Sequence, residues 1–408
     1  MPITSHPNLS AHINTILDDL VAIRHDLHAH PELKFKESRT SSVIQKHLTD
    51  LGINFIANIG GKEPPSSTNN AGTGVLAHIP ATIDAPGPCI GLRADMDALP
   101  ITEISNNTYK STNDAVMHAC GHDGHTAILL GAAKILSQLD HRPNPITLVF
   151  QPAEEGGAGA AKMIRDGIMT DLLGPPIQKM FGLHGWPDQP LGTIATRPGP
   201  LLAATDMFTI TVQGTQAHAA YPHLSNDPIV ASSAIVTAAQ SIVSRSTEPT
   251  DSVVLSITAL HAGTAFNIIP AAAHMQGTLR TLSDESRTAT KARFTQLAQS
   301  TAKALGCTAQ IEWIPGYPVT KNDPKMTHHV FEIAQSSANC TDTQLVPHAT
   351  LGGEDFAFYA QLVPACFFFL GLAKDKNTPY PGLHTPSFDF NDQSIPLGVE
   401  MMCRLALS

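Results

Sequence analysis

Four short segments of the chain concentrate side chains that bind metals or move protons. They hold Cys120 and His122 (ACGHD), the doublet Glu154-Glu155 (PAEE), His184 (GLHG) and His384 (GLHTP). A thiolate, imidazoles and carboxylates form a mixed donor set that suits Zn²⁺ or a similar transition metal, whereas Mg²⁺ and Ca²⁺ prefer oxygen alone. Taken singly, each residue has a plainer reading. A buried cysteine is a small apolar group, a strand histidine is structural, and adjacent glutamates are a solvated face. The joint pattern, with the first three groups at the expected carboxyl ends of strands and glycines beside them, argues for shared duty. Adjacent residues leaving a strand point in different directions. One carboxylate of the pair can therefore bind metal while its neighbour faces a bound water, takes its proton and later returns it to a leaving amine.

The elements that must position these groups are legible as periodicity. Apolar residues at helical spacing from Ile13 to His28 make an amphipathic opening helix, which Pro31 ends. A weaker helical pattern covers 40–51, and the tract from Gly60 to Gly72 is a loop rich in Gly, Pro, Ser and Asn. Three units follow in which a short apolar run leads into a polar cluster, the first two of them continuing into a helix: CIGLRADMD with HACGHDGH and TAILLGAAKIL, ITLVF with QPAEEGG and AGAAKMI, and KMFGLHG. That grammar predicts an α/β protein with an open, mostly parallel sheet flanked by helices, whose ligands gather at the carboxyl ends of the strands.

The character changes at TRPGPLLAA, which reads as a linker. Beyond it DMFTITVQG alternates as a half-buried strand, and helical and strand-like segments then succeed one another to TAQIEWI in a βαββαβ, ferredoxin-like order. The expected organisation is thus a discontinuous larger domain, residues 1–203 and 316–408, with a smaller α+β domain, 204–315, inserted into it.

Composition narrows the function. A formal charge of −10 without a Lys/Arg cluster argues against nucleic acid and against an anionic membrane, and points to a small-molecule partner. The six cysteines include no CxxC pair and read as reduced thiols. No basic-then-apolar leader or long apolar run is present, so a cytoplasmic protein is expected.

Nine segments, among them RHDLHAHPEL, GLRADMDALP, MHACGHDGHTAILLGAA, VFQPAEEGGAGAAKMI, AHAAYPH, GTAFNIIP and GGEDFAFY, run in the order found in the M20 metallopeptidase family across almost the whole chain. They resemble its aminoacylase/hippurate hydrolase branch, which includes the plant auxin-conjugate hydrolases. The resemblance implies a binuclear site of two divalent ions per subunit, Zn, Mn, Co or Ni, with Cys120, His122, Glu155, His184 and His384 as ligands and Glu154 as general base. It further implies that His218 polarises the scissile carbonyl, that Asn267 and Arg280 hold the substrate's carboxylate, and that the inserted domain is a lid and dimerisation domain. The expected protein is a homodimer or homotetramer that hydrolyses N-acyl amino acids of the hippurate or N-acetyl type. Where the family usually has Gly-Gly-His, this chain has Gln216-Ala217-His218, which predicts altered lid packing with activity retained.

Asp95, Asp97 and Asp123 are candidates to orient the ligands, since metal-bound histidines need such acceptors. His118 and His125 are left outside the metal set. Competing readings are another activity of the same family (N-acetyl-diaminopimelate deacetylase, dipeptidase or carbamoylase) or a non-catalytic metal- or ligand-binding relic. A relic should have lost the base or a ligand, and none of the six positions has. A zinc nucleobase deaminase would need a PCxxC segment, which is absent.

Overall fold

Short apolar runs bounded by polar clusters become buried strands. A computed structural model describes residues 9–62, 72–375 and 379–408. Most of the sequence-predicted loop from Gly60 to Gly72 lies outside the described residues. The chain divides into two compact units: one holds the described residues up to Leu201, Lys321–His348 and Asp355–Ser408, the other Leu202–Thr320 and Ala349–Glu354.

The first unit is built on an eight-stranded, mostly parallel sheet. Its strand order is 54–59, 74–79, 146–151, 90–95, 179–190, 365–373, 193–196, 342–345. Strand Ile90–Asp95 pairs in parallel with Ile146–Gln151 on one side and with Lys179–Gly182 on the other, while Asn54–Ile59 and Gly74–Ile79 add an antiparallel edge. The inner strands Ile90–Asp95, Ile146–Gln151 and Ala365–Ala373 are buried at every residue, as expected of parallel strands covered on both faces. Helix His122–Gln138 packs against helices Leu9–Ala29 and Ile395–Ala406. Small residues permit that approach: a Cβ at Gly131 would come within 2.7 Å of Leu20 and 2.8 Å of Val399.

The second unit is an antiparallel sheet in the order 253–262, 272–281, 204–213, 308–315, packed with helices Pro228–Ser241 and Asp284–Ala304. Strand Ala204–Gln213 alternates buried and more open positions, and its inward residues Phe208, Ile210 and Val212 meet Phe294 and Ala298 in a core of their own. Side chains cap both helices. Asp227 accepts from the backbone of Ile229 and Val230 ahead of Pro228, and Ser283 accepts from Ser286. No described helix is long and apolar enough to cross a membrane.

Candidate metal centre

Cys120, His122, Glu154 and Glu155 sit where the chain turns into helices. Gly121, with φ of 89°, turns the chain into the helix that starts at His122. Glu154 and Glu155 follow strand Ile146–Gln151 on a sharp elbow in which Ala153, Gly156 and Ala158 all adopt left-handed backbone, φ 55°, 74° and 54°. Such a conformation is costly for alanine and persists only when its surroundings over-determine it. Buried carboxylates supply the hold. Asp97 accepts the backbone N–H groups of Glu154 and Glu155 at 2.9 and 3.0 Å, Glu37 accepts that of Ala153 at 2.9 Å, and Asp355 accepts that of Ala160 at 3.0 Å.

Three overlapping clusters gather within 4.8 Å: Cys120–His122–His184, Cys120–Glu155–His384 and His122–Glu154–Glu155. Six residues singled out from the sequence are thus brought to one place. Cys120 Sγ lies 3.3 Å from His184 Nε2 and 3.3 Å from His384 Nε2, which is in turn 3.1 Å from Glu155 Oε1. Cys120, His122, Glu154 and His184 are buried, whereas the His384 side chain is half exposed.

The donor chemistry fits a divalent ion. Both ring nitrogens of buried His122 lack a hydrogen-bond partner, although Asp97 and Asp95 oxygens stand 3.4 and 3.7 Å away. Burial would lower that imidazole, yet Asp95, Asp97 and Glu155 together push it up to about 10. Burial and then the negative charges of Glu155, Glu154 and Asp95 hold the Cys120 thiol well above its ordinary range. A divalent cation among these groups inverts that balance, because a coordinating thiol is deprotonated outright. His184 Nδ1 donates to the Gly185 carbonyl at 2.8 Å, which leaves Nε2 as the lone-pair donor facing Cys120. Burial, reinforced by His125, keeps His184 well below the usual imidazole range and so neutral, as a ligand must be.

His125, left outside the metal set, is held through both ring nitrogens. Gly185 N–H donates to its Nε2 at 2.8 Å, so its Nδ1 donates to Asp95 Oδ1 at 2.6 Å. With both nitrogens engaged it bridges the strand that carries Asp95 to the residue after His184. Its spacing from His122 was the available signal, since residues three apart share a helix face. Asp123 does not face the ligand histidines; it accepts from Arg24 at 3.0 Å and pairs with His28 at 2.8 Å. His184 lies inside a strand instead of at its end. The strand continues to Pro190 because it goes on pairing with Ala365–Ala373 after its pairing with Ile90–Asp95 stops at Gly182.

The remaining predicted residues belong to the second unit. His218 is exposed and pairs with Ile268 in a two-stranded ribbon, and the Asn267 carbonyl accepts from Ala219 N–H at 3.0 Å beside it. Arg280 stands on strand Ala272–Thr281. Burial lowers its pKa, and no ion pair to it is found among the described residues, a setting that suits an anion.

Residues 91–408 match the sequence profile described as Peptidase family M20/M25/M40. The chain is 37% identical to an N-acetyl-L-cysteine deacetylase of Bacillus subtilis (strain 168) over 94% of its own length and 86% of the relative's. It is 34% identical to the Arabidopsis thaliana IAA-amino acid hydrolase ILR1-like 4, covering 96% of this chain and 86% of that one. Among solved structures, Bacillus subtilis YXEP, described as a dinuclear metal binding peptidase of the M20 family, superposes with a TM-score of 0.80 at 33% identity, over 97% of this chain and 98% of that one.

Proposed function

Because the chain belongs to peptidase family M20/M25/M40 and is a metal-dependent amidohydrolase, we propose that it hydrolyses the amide bond of small N-acyl amino acids, of the hippurate or N-acetyl type. The observation that carries this reading is the convergence of Cys120, His122, Glu155, His184 and His384 with a second carboxylate, Glu154, beside them. The similarity to proteins named for N-acetyl-L-cysteine and for IAA-amino acid conjugates supports the substrate class.

Divalent ions held by those five residues supply Lewis acidity and lower the pKa of water, and the donor set admits Zn, Mn, Co or Ni. The chain's own groups do the rest. Glu154, fixed through its backbone by Asp97, takes the proton of the attacking water and hands it to the leaving nitrogen as the C–N bond breaks. Water is consumed, and a carboxylic acid and an amino acid are released. His184, kept neutral by burial, donates Nδ1–H to the Gly185 carbonyl and so holds its other ring nitrogen ready to bind. We assign His218 to the scissile carbonyl oxygen, whose developing negative charge a donor would steady, and Asn267 and Arg280 to the substrate's free carboxylate. The proposal includes a cytoplasmic homodimer acting on free small molecules, in keeping with a net charge of −10.

A panel of N-acetyl, N-benzoyl and N-carbamoyl amino acids and dipeptides, assayed with Zn²⁺ or Mn²⁺, tests the reading. The highest kcat/KM should fall on an N-acyl amino acid. Preference for a dipeptide or a carbamoyl amino acid would move the protein to another activity of the family, and metal binding with no turnover of any amide would sink the catalytic reading.

A further inference from the structure

Helix Leu9–Ala29 buries Arg24 completely. Its guanidinium Nε donates to Asp123 Oδ2 at 3.0 Å, Nη1 donates to Asp392 Oδ1 at 3.0 Å, and Nη2 donates to Asp389, while its Cζ lies 4.6 Å from the centroid of the Tyr109 ring. The three carboxylates come from two places that matter to the metal centre. Asp123 directly follows His122, and Asp389 and Asp392 follow His384 in the segment that leads to the last helix. Further bonds stiffen that segment: Asn107 and the Tyr109 hydroxyl donate to Asp389 Oδ2 at 3.1 and 2.7 Å, and the Tyr380 hydroxyl donates to the Asp389 carbonyl at 2.7 Å.

His384 needs such a hold. It lies outside any helix or strand, its ring is half exposed, and its φ of 61° is a left-handed conformation that a histidine adopts at a cost. Its backbone N–H donates to the Ala119 carbonyl at 2.8 Å, next to Cys120. On the far side of His384, Ile104 N–H donates to the Pro386 carbonyl at 2.9 Å and Asn391 donates to the Leu372 carbonyl at 2.9 Å, while Asp389 and Asp392 tie the segment to Arg24.

We propose that Arg24 is a positioning residue for the metal centre: one guanidinium fork fastens the helix start carrying Cys120 and His122 to the segment carrying His384. The proposal rests on His384 being a ligand. Only arginine offers five donors in a planar fork, so a lysine of the same charge cannot reach three carboxylates in this arrangement.

The test is Zn²⁺ affinity of the metal-stripped protein, read by competition with a chromophoric chelator, alongside thermal unfolding. Arg24→Lys should weaken the Zn²⁺ held through His384 by about 10- to 100-fold, the usual effect of losing support behind a ligand. Asp392→Asn, at a partly exposed carboxylate, should shift affinity the same way by less and serves if Arg24→Lys does not fold. Methylguanidinium should restore affinity to Arg24→Ala, an outcome that a general loss of packing does not produce. In a His384→Ala background the Arg24→Lys effect should shrink, because the two changes remove one interaction. Wild-type Zn²⁺ affinity in folded Arg24→Lys, or fully additive losses in the double variant, would overturn the proposal and leave the ligand reading standing. Wild-type affinity in His384→Ala would overturn the ligand reading and the proposal together.

Discussion

Replacing Glu37 by glutamine should make the protein more stable at neutral pH, although it removes a charge that makes two hydrogen bonds. Glu37 is fully buried, and its carboxylate accepts the Ala153 N–H at 2.9 Å and the Thr73 hydroxyl at 2.6 Å. Burial, and then the negative charge of Asp97, outweigh those bonds and push the carboxyl from 4.5 up to about 7. For an acid whose pKa is raised on folding, stability is fully present below its unfolded value of 4.5 and is lost as pH rises through about 7. The shift corresponds to a penalty of about 3 kcal/mol once the group is ionised in both states. Glutamine cannot ionise and keeps an oxygen for the Ala153 N–H. Urea unfolding of wild type and Glu37→Gln with chelator present, from pH 5 to pH 8, should therefore show the variant gaining about 2 kcal/mol relative to wild type across that range. Turnover of the metal-loaded variant should be retained, because the elbow bearing Glu154 keeps its bond. A stability difference that stays constant with pH would refute the raised carboxyl, and a gain in stability that comes with lost turnover would show that the charge itself serves the site.

Glu154→Gln should retain its metal and lose about 10²- to 10⁴-fold in kcat, since an amide holds position without accepting a proton; near-normal kcat at full metal content would remove Glu154 from its assigned role. If Arg280 and Asn267 grip the substrate's carboxylate, hippuramide should be a far poorer substrate than hippurate, and equal kcat/KM would contradict the clamp. Mixing Glu154→Gln chains with His218→Ala chains distinguishes service in cis from service across a two-fold dimer. Shared sites should restore about a quarter of wild-type activity after random exchange, and verified exchange without recovery would place His218 in its own chain's reaction.

The candidate metal ligands that the structure brings together could be picked out in the sequence because their chemistry resides in the residue itself. A cysteine, three histidines and a glutamate pair beside glycines announce a metal whatever surrounds them, and the alternation of DMFTITVQG announces the strand Ala204–Gln213 in the same local way. The supporting residues could not be read, because each is defined by a partner far along the chain. Asp123 looked like a support for its neighbour His122, yet consecutive helical residues diverge by about 100° and Asp123 turns to Arg24, 99 residues away. His125 looked like a bystander until Gly185, 60 residues on, took its second nitrogen.

Phe390 shows the same logic in packing. A Cβ at Gly121, Gly124 or Gly185 would approach its ring to 3.0, 2.5 or 2.8 Å, so the three glycines beside Cys120, His122 and His184 leave room for one aromatic ring beside the ligand segments. The glycines were noticed in the sequence as neighbours of the ligands, but their reason lies in a phenylalanine more than two hundred residues away. A six-residue constellation can thus be inferred from local motifs, while the precision on which it depends belongs to long-range contacts such as those of Arg24, Glu37 and Phe390. Substitutions at these three positions are where geometry and chemistry separate experimentally. The donors remain in place, and a loss of metal affinity then measures how exactingly they must be held.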